Sequence, residues 1–258
     1  MSINQMGTLT WGRREGRYSR GRLTRLERLA LVRNMAHLEL IELGDLFRRR
    51  LGLLQPERAL LEELLPEETA LVNDALSLAK ETHAEALLHH SWRTYLFGAL
   101  LGRHAGLNYD PELLFVSCIL HDLGIASDRD AHPEECCFAV SGAERACAHL
   151  AAKGHDTEKV NRIGDAMALH LNAYVSSRLH GAEAHLVSRG AVCDLFGAGV
   201  RRLAGASVDE IMLRHPREGV VDALGFETFR HLPGTRAAVM TALSGGKAPK
   251  TPLDRYGI

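Results

Sequence analysis

The chain has 258 residues, of which 46% are hydrophobic and 24% are charged. This balance is that of a globular protein and argues against a disordered, collagen-like or coiled-coil chain. The formal net charge of −1 gives no overall attraction to nucleic acid or to anionic lipid. No apolar stretch reaches the length of about 18 residues that a membrane span needs, and no secretory signal is visible. We therefore expect a cytoplasmic protein with no nucleic-acid partner and no membrane partner.

The first 50 residues carry 11 arginines against 5 acidic residues. Only Trp11 and Tyr18 lie among or beside the first arginines, which gives little support for stacking on bases. We interpret residues 1–22 as a flexible basic extension, in preference to a nucleic-acid-binding arm. Residues 23–258 are predicted to form a single domain with its core at about 82–204.

Helical spacing of apolar residues dominates the rest of the chain. Leu31, Leu38 and Ile41 share one face of a first helix, and Pro66 begins a second. Further helices are expected at about 84–104, 110–124, 135–152, 156–171, 182–203, 208–214 and 235–243. No segment alternates apolar and polar residues over the length of a strand, so the sequence predicts an all-α fold.

Three of the predicted helices carry metal-ligand side chains in apolar surroundings. His90 lies in the middle of one helix, His121 and Asp122 end another, and Asp194 lies inside a third. A carboxylate at a helix C-terminus is unfavourable by about 0.3–1 kcal/mol unless a cation compensates it. A buried carboxylate must be paired or bound to a metal. These four side chains predict a site for a divalent ion such as zinc, manganese or iron.

In chain order these residues follow the pattern H…HD…D, and residues 82–204 resemble the HD-domain superfamily of metal-dependent hydrolases. Within that superfamily the chain is most similar to the cyanamide hydratase-like branch. The supporting segments are 90–98 (HSWRTYLFG), 120–124 (LHDLG), 138–143 (FAVSGA) and 164–170 (GDAMALH). The resemblance implies an HD-domain helical bundle with extra N- and C-terminal helices. It also implies one metal ion, zinc in that branch, held by His90, His121, Asp122 and Asp194.

The chain departs from other branches of the superfamily at informative positions. Branches that act on nucleotides or cyclic dinucleotides resemble HDxxE or HDxGK, whereas here the third residue after Asp122 is Ile125. The dinuclear branch looks like HPxxG followed by a pair of histidines. Phe138 stands where the first of those histidines would be, and only His170 remains of the pair. These departures predict a site for a single metal ion.

Further side chains near the motifs have candidate roles. Asp122 is predicted to be both a ligand and the acceptor of a proton from the attacking water. His170 either polarises or protonates the substrate or is a bystander in the core. Arg93 lies on the same helix face as His90 and either binds the substrate or pairs with Asp194 or Asp122. His132 either borders the site entrance or lies on a surface loop.

Two enzyme activities fit these residues. One is addition of water to a small neutral molecule with a nitrile or similar unsaturated carbon, as the resemblance implies. The other is hydrolysis of nucleotides or other phosphomonoesters, which normally requires several cations around the substrate. Few cations lie near the motifs, which favours the first activity. A third alternative is a binding module with a structural metal. The partner predicted is a small-molecule substrate, and the sequence allows a homo-oligomer.

Overall fold

The structure is a computed structural model, and it describes residues 5–15, 21–125, 137–225, 233–245 and 250–256. Over these residues the regular structure is helical, apart from an isolated bridge between Glu57 and Leu203. The prediction of an all-α fold is confirmed. The α-helices of the described ranges are α1 (Leu9–Gly12), α2 (Arg25–Arg50), α3 (Ala70–Thr82), α4 (Glu85–His104), α5 (Pro111–Leu120), α6 (Phe138–Ala152), α7 (Thr157–Leu169), α8 (Ser177–Phe196), α9 (Gly205–Arg214), α10 (Val220–Leu224) and α11 (Arg236–Leu243).

Helices α4 and α8 form the central pair of the bundle, and glycine lets their backbones approach each other. A Cβ atom on Gly190 would overlap the carbonyl oxygen of Thr94, and one on Gly98 would lie 2.9 Å from the carbonyl oxygen of Leu186. Any side chain at these positions would separate the helices. Because the helices lie this close, His90 on α4 and Asp194 on α8 meet across the interface.

Helix α5 is buried along most of its length, and its two ends have different roles. Asp110 caps the N-terminus by accepting hydrogen bonds from the backbone N–H groups of Glu112 and Leu113, at 2.9 and 3.2 Å. The helix ends at Leu120, somewhat earlier than the sequence predicts, and a 3₁₀ turn follows at Leu123–Ile125. The residues between these two elements are therefore held in a tight buried turn.

The N-terminal segment differs from the flexible extension that the sequence analysis expects. The Trp11 side chain in α1 has no exposed surface, and its indole N–H donates to Oε1 of Glu27 at 2.7 Å. The Arg14 side chain pairs with the same carboxylate. Burying a large aromatic ring stabilises this packing, and the ring's polar atom has a partner. The described residues 5–15 thus pack on the domain, and residues 16–20 lie outside the described ranges.

Helix α2 begins with a capping box and runs for 26 residues. Thr24 Oγ1 accepts from the backbone N–H of Glu27 at 3.3 Å, while Glu27 Oε2 accepts from the backbone N–H of Thr24 at 2.7 Å. Although this helix is long, neither it nor any other helix in the described ranges is apolar enough to cross a membrane.

Candidate metal centre

His90, His121 and Asp122 bring three ligand atoms together at one buried point. His90, His121 and Asp122 are 0%, 1% and 2% exposed, respectively. His90 Nε2 lies 3.2 Å from His121 Nε2. Asp122 Oδ2 lies 3.1 Å from His121 Nε2 and 3.4 Å from His90 Nε2. These three atoms form a nearly equilateral triangle, which we call the ligand triangle.

Hydrogen bonds on the far side of each ring orient both histidines toward this triangle. His121 Nδ1 lies 2.7 Å from the carbonyl oxygen of Cys118, and His90 Nδ1 lies 2.6 Å from Oδ2 of Asp194. Both oxygens are acceptors, so each Nδ1 atom carries a hydrogen, and the Nε2 atom of a neutral ring then presents a lone pair. Two such lone pairs and a carboxylate oxygen repel one another at these distances unless a cation or a proton lies between them.

The ligand triangle fits a divalent metal ion. Tetrahedral ligands about 2.1 Å from a zinc ion lie about 3.4 Å from each other, close to the separations observed here. Among the described residues, this is a group of metal-ligand side chains whose ligand atoms all lie within 4.8 Å of one another. Nitrogen and carboxylate ligands suit zinc, manganese or iron. The residues therefore fit the kind of ion that the sequence analysis expects.

Asp194 lies behind His90 and outside the ligand triangle, so its role as a direct ligand stays a prediction. Its Oδ1 accepts from Arg93 Nε at 2.7 Å, and its Oδ2 accepts from Arg93 Nη2 at 2.9 Å as well as from His90 Nδ1. Burial raises the pKa of the Asp194 carboxyl, but Arg93 and His90 outweigh burial and hold that pKa well below its usual range. Asp194 is thus an anion that orients His90.

The Arg93 side chain is bonded to Asp194 and to two backbone carbonyl oxygens and is not among the described residues that line the cavity at the ligand triangle. Besides its two bonds to Asp194, its Nη1 donates to the carbonyl oxygens of His215 and Pro216, at 3.1 and 2.5 Å. The side chain is fully buried and occupied by these partners. Of the two roles weighed for Arg93, the structure brings it to Asp194.

His170 lies at the end of α7, next to the ligand triangle. Its Nδ1 is 2.6 Å from the carbonyl oxygen of Met167, so its Nε2 presents a lone pair toward Asp122 Oδ1 at 3.5 Å. Burial and the nearby His121 lower the pKa of His170 to about 3. Burial raises the pKa of Asp122, but His121, His90 and His170 hold it well below its usual range. Two acceptors therefore face each other at a distance that a shared proton can bridge.

Two buried residues near the site were not singled out in the sequence. Arg217 donates from Nη2 to the backbone carbonyl of Asp194 at 2.9 Å and from Nη1 to Oδ1 of Asp254 at 2.9 Å. His83 has no hydrogen-bond partner for its Nε2 in the described part of the chain, and burial lowers its pKa to about 4. Neither residue belongs to a recognisable sequence motif. Their positions in the fold depend on contacts with segments distant in sequence, so neighbouring residues give no signal for them.

A cavity of about 260 Å³ opens from the ligand triangle. Ile125 and Phe138, which stand where other branches place polar or ligand residues, are part of its apolar wall. No lysine or arginine is among the described residues that line it, and Glu39 is its acidic residue besides Asp122. His132 lies outside the described residues, so its predicted place at the entrance stays a prediction.

The sequence model of the HD domain family matches residues 87–193. This segment, somewhat less than half of the chain, is similar to HD domains. It begins within α4, ends near the end of α8 and contains the ligand triangle and His170. HD domains bind divalent metals and are generally hydrolases, among them phosphohydrolases. Helices α1–α3 and α9–α11 flank the matched segment, as the expected extra terminal helices. A search among curated proteins gives no match. Similarity to the cyanamide hydratase-like branch stays a prediction.

Proposed function

We propose that this protein is a metal-dependent hydrolase or hydratase, cyanamide hydratase-like, that directs an activated water at a small uncharged substrate. The observation that carries the proposal is the ligand triangle, in which His90, His121 and Asp122 aim lone pairs at one point with a cavity beside it. We propose one divalent ion per chain, zinc in preference to manganese or iron.

When bound, such an ion supplies a Lewis acid that makes a water molecule nucleophilic near neutral pH. The protein's own residues handle the proton. Asp122 has Oδ2 in the ligand triangle and Oδ1 facing His170 Nε2 at 3.5 Å. A proton released beside Asp122 therefore has two adjacent acceptors. In the proposal Asp122 accepts this proton and His170 assists by passing it to the substrate, and the bond to Met167 keeps the His170 ring in the required tautomer.

The cavity supports an uncharged substrate. A phosphomonoester would bring negative charge into a space whose described lining holds no lysine or arginine and includes Asp122. Stabilising phosphoryl transfer generally requires such cations. Arg93, the cation nearest to His90 in sequence, is fully bonded to Asp194 and two carbonyl oxygens. Addition of water to a nitrile or a similar group agrees better with this lining than phosphate hydrolysis does.

The test starts with protein loaded with zinc, manganese or iron and analysed for metal content. Loaded protein is then assayed with cyanamide, with a series of nitriles and with nucleoside monophosphates. We expect one ion per chain, a higher melting temperature than that of the metal-free protein, and hydration of at least one neutral substrate. His121→Ala should abolish metal and activity, whereas the matched control His149→Ala should change neither. Release of phosphate without hydration of cyanamide or nitriles would replace this proposal by the phosphohydrolase alternative.

A further inference from the structure

The cavity is larger than the smallest substrate that the family resemblance suggests. Cyanamide has three heavy atoms, whereas the cavity measures about 260 Å³. Pockets for drug-sized molecules begin at about 300 Å³, and a water molecule in the liquid occupies about 30 Å³. A cyanamide molecule at the ligand triangle would therefore leave most of the cavity to water.

The wall of this remaining space is apolar. Its apolar side chains come from α2, α8, α10 and α11, and they include Met35, Val192, Leu195, Phe196, Leu224 and Met240. Water confined between such side chains finds few hydrogen-bond partners, so an apolar ligand displaces it favourably. Methionine side chains also adapt to ligands of different shape. This part of the cavity therefore favours an apolar group over water.

Polar groups lie at the two ends of the cavity. The inner end holds the ligand triangle and His170, and the outer end holds Glu39 and Ser244, which are exposed. The Glu39 carboxylate at the rim disfavours entry of anions. A ligand that fits this arrangement has a reactive polar end, an apolar body and no negative charge.

We infer that the substrate carries an apolar group of several carbons, aliphatic or aromatic, and that Leu195 on α8 and Ala237 on α11, which both line the cavity, determine the preference for it. The inference rests on the proposed function, which places the reacting end of the substrate at the ligand triangle. The apolar group then lies between α8 and α11. Substrates with such a group should be selected over cyanamide itself.

A series of hydroxamates of increasing length tests this inference without measuring turnover. Acetohydroxamate, butyrohydroxamate and hexanohydroxamate share one metal-chelating end and differ only in the apolar chain. Their affinities for the zinc-loaded full chain are measured by calorimetry. Burial of each added methylene should tighten binding about fourfold until the cavity is full. Benzohydroxamate extends the test to an aromatic group.

Two variants that fill the cavity from opposite walls sharpen the test. Leu195→Trp and Ala237→Leu should reduce the gain from acetohydroxamate to hexanohydroxamate by at least tenfold while leaving acetohydroxamate affinity within about twofold. Leu213→Trp on α9, at a residue that is 81% exposed, is the control and should keep the full gain. Circular dichroism verifies that each variant is folded. If Leu195→Trp does not fold, the test is carried out with Ala237→Leu alone.

The outcomes separate this inference from the proposed function. If acetohydroxamate binds but affinity does not rise along the hydroxamate series, the inference that the substrate carries an apolar group is wrong. The proposed function as a metal-dependent enzyme is not affected by that result. Absence of metal binding would overturn the proposed function. In that case the apolar cavity is tested on the metal-free protein with primary amides of the same lengths. A rise in melting temperature that grows with chain length supports binding of an apolar group in the cavity. A rise that is the same for every chain length would overturn it.

Discussion

His90 Nδ1 lies 2.6 Å from Asp194 Oδ2, so a hydrogen bond joins α4 to α8 at the candidate metal centre. This bond fixes the tautomer of His90 and the direction of its Nε2 lone pair. Carboxylate partners of this kind raise the basicity of a ligating histidine and hold its ring in place. We therefore expect the affinity of the candidate site for metal to depend on Asp194, which lies outside the ligand triangle.

Asp194→Asn should weaken metal binding without abolishing it. The amide can still accept from His90, but it loses the charge that pairs with Arg93, and we expect metal affinity to fall about 10–100-fold. Stoichiometry at saturation should stay at one ion per chain. Competition with a metal chelator measures the affinity, with His121→Ala as the variant expected to bind none. Complete loss of metal in Asp194→Asn would restore Asp194 to the ligand set.

Arg217→Met should weaken the positioning of Asp194 and, through Asp194, of His90. Arg217 joins the backbone of Asp194 to the carboxylate of Asp254, so its loss should lower stability by about 2–3 kcal/mol and metal affinity about tenfold. Urea unfolding and chelator competition measure the two effects, and the NMR signal of the His90 Nδ1 proton reports its orientation. Arg214→Met, at an exposed arginine on α9, is the control. An unchanged metal affinity and an unchanged His90 signal in Arg217→Met would show that Arg217 only supports the fold.

His170→Ala should lower turnover about 10²–10⁴-fold, the usual effect of removing a group that transfers protons. Because His170 Nε2 faces Asp122 Oδ1 and not the ligand triangle, metal content should not change. Steady-state kinetics and elemental analysis of the same preparation measure both quantities. Loss of metal from this variant would instead make His170 a ligand.

Glu27→Gln should destabilise the protein in a pH-dependent way. Burial raises the pKa of Glu27, but bonds from Arg14, the backbone of Thr24 and Trp11 outweigh it and lower that pKa from 4.5 to about 2. A depressed pKa means that the carboxylate stabilises the fold fully above pH 4.5 and loses this effect as the pH falls through 2. We expect a loss of about 2 kcal/mol at pH 7, after allowance for solvent screening.

The measurement for Glu27→Gln is urea unfolding between pH 7 and pH 2. The difference from the natural chain should narrow as the pH falls, because the carboxylate becomes protonated. Glu68→Gln, at an exposed acid, should show no such dependence. A difference that stays constant with pH would mean that the charge of Glu27 does not stabilise the packing of α1 on α2.

The parts of the site that the sequence predicts are those encoded locally. His121 and Asp122 follow a continuous apolar helix, and His90 lies inside another, so burial and ligand chemistry were visible from neighbouring residues. The role of Asp194 was not visible in this way. Whether its carboxylate meets Nδ1 or Nε2 of His90 depends on how α4 and α8 cross. Helix boundaries show the same limit. The short helical segment at 177–180, before the kink at Gly181 with its φ of 87°, is not predicted, whereas the long part of α8 begins at the predicted 182.

Tertiary partners explain the other differences. Trp11 lies in a basic segment with no helical periodicity of its own, and its burial depends on Glu27 and Arg14. Arg217 lies between α9 and α10, where neighbouring residues give no pattern, and its partners are 23 and 37 positions away. Single-sequence patterns report the local backbone and its buried face. They do not report which charged side chains meet when those faces pack.

The close approach of α4 and α8 makes the metal centre sensitive to residues without any chemistry. Gly190 stands one helical turn before Asp194, and Gly98 stands two turns after His90. Alanine at either glycine would move the two backbones apart and lengthen the bond between His90 and Asp194. A mutational map of activity would therefore mark both glycines as intolerant as the ligands themselves. The geometry of the candidate centre thus depends on two positions whose contribution is the absence of a side chain.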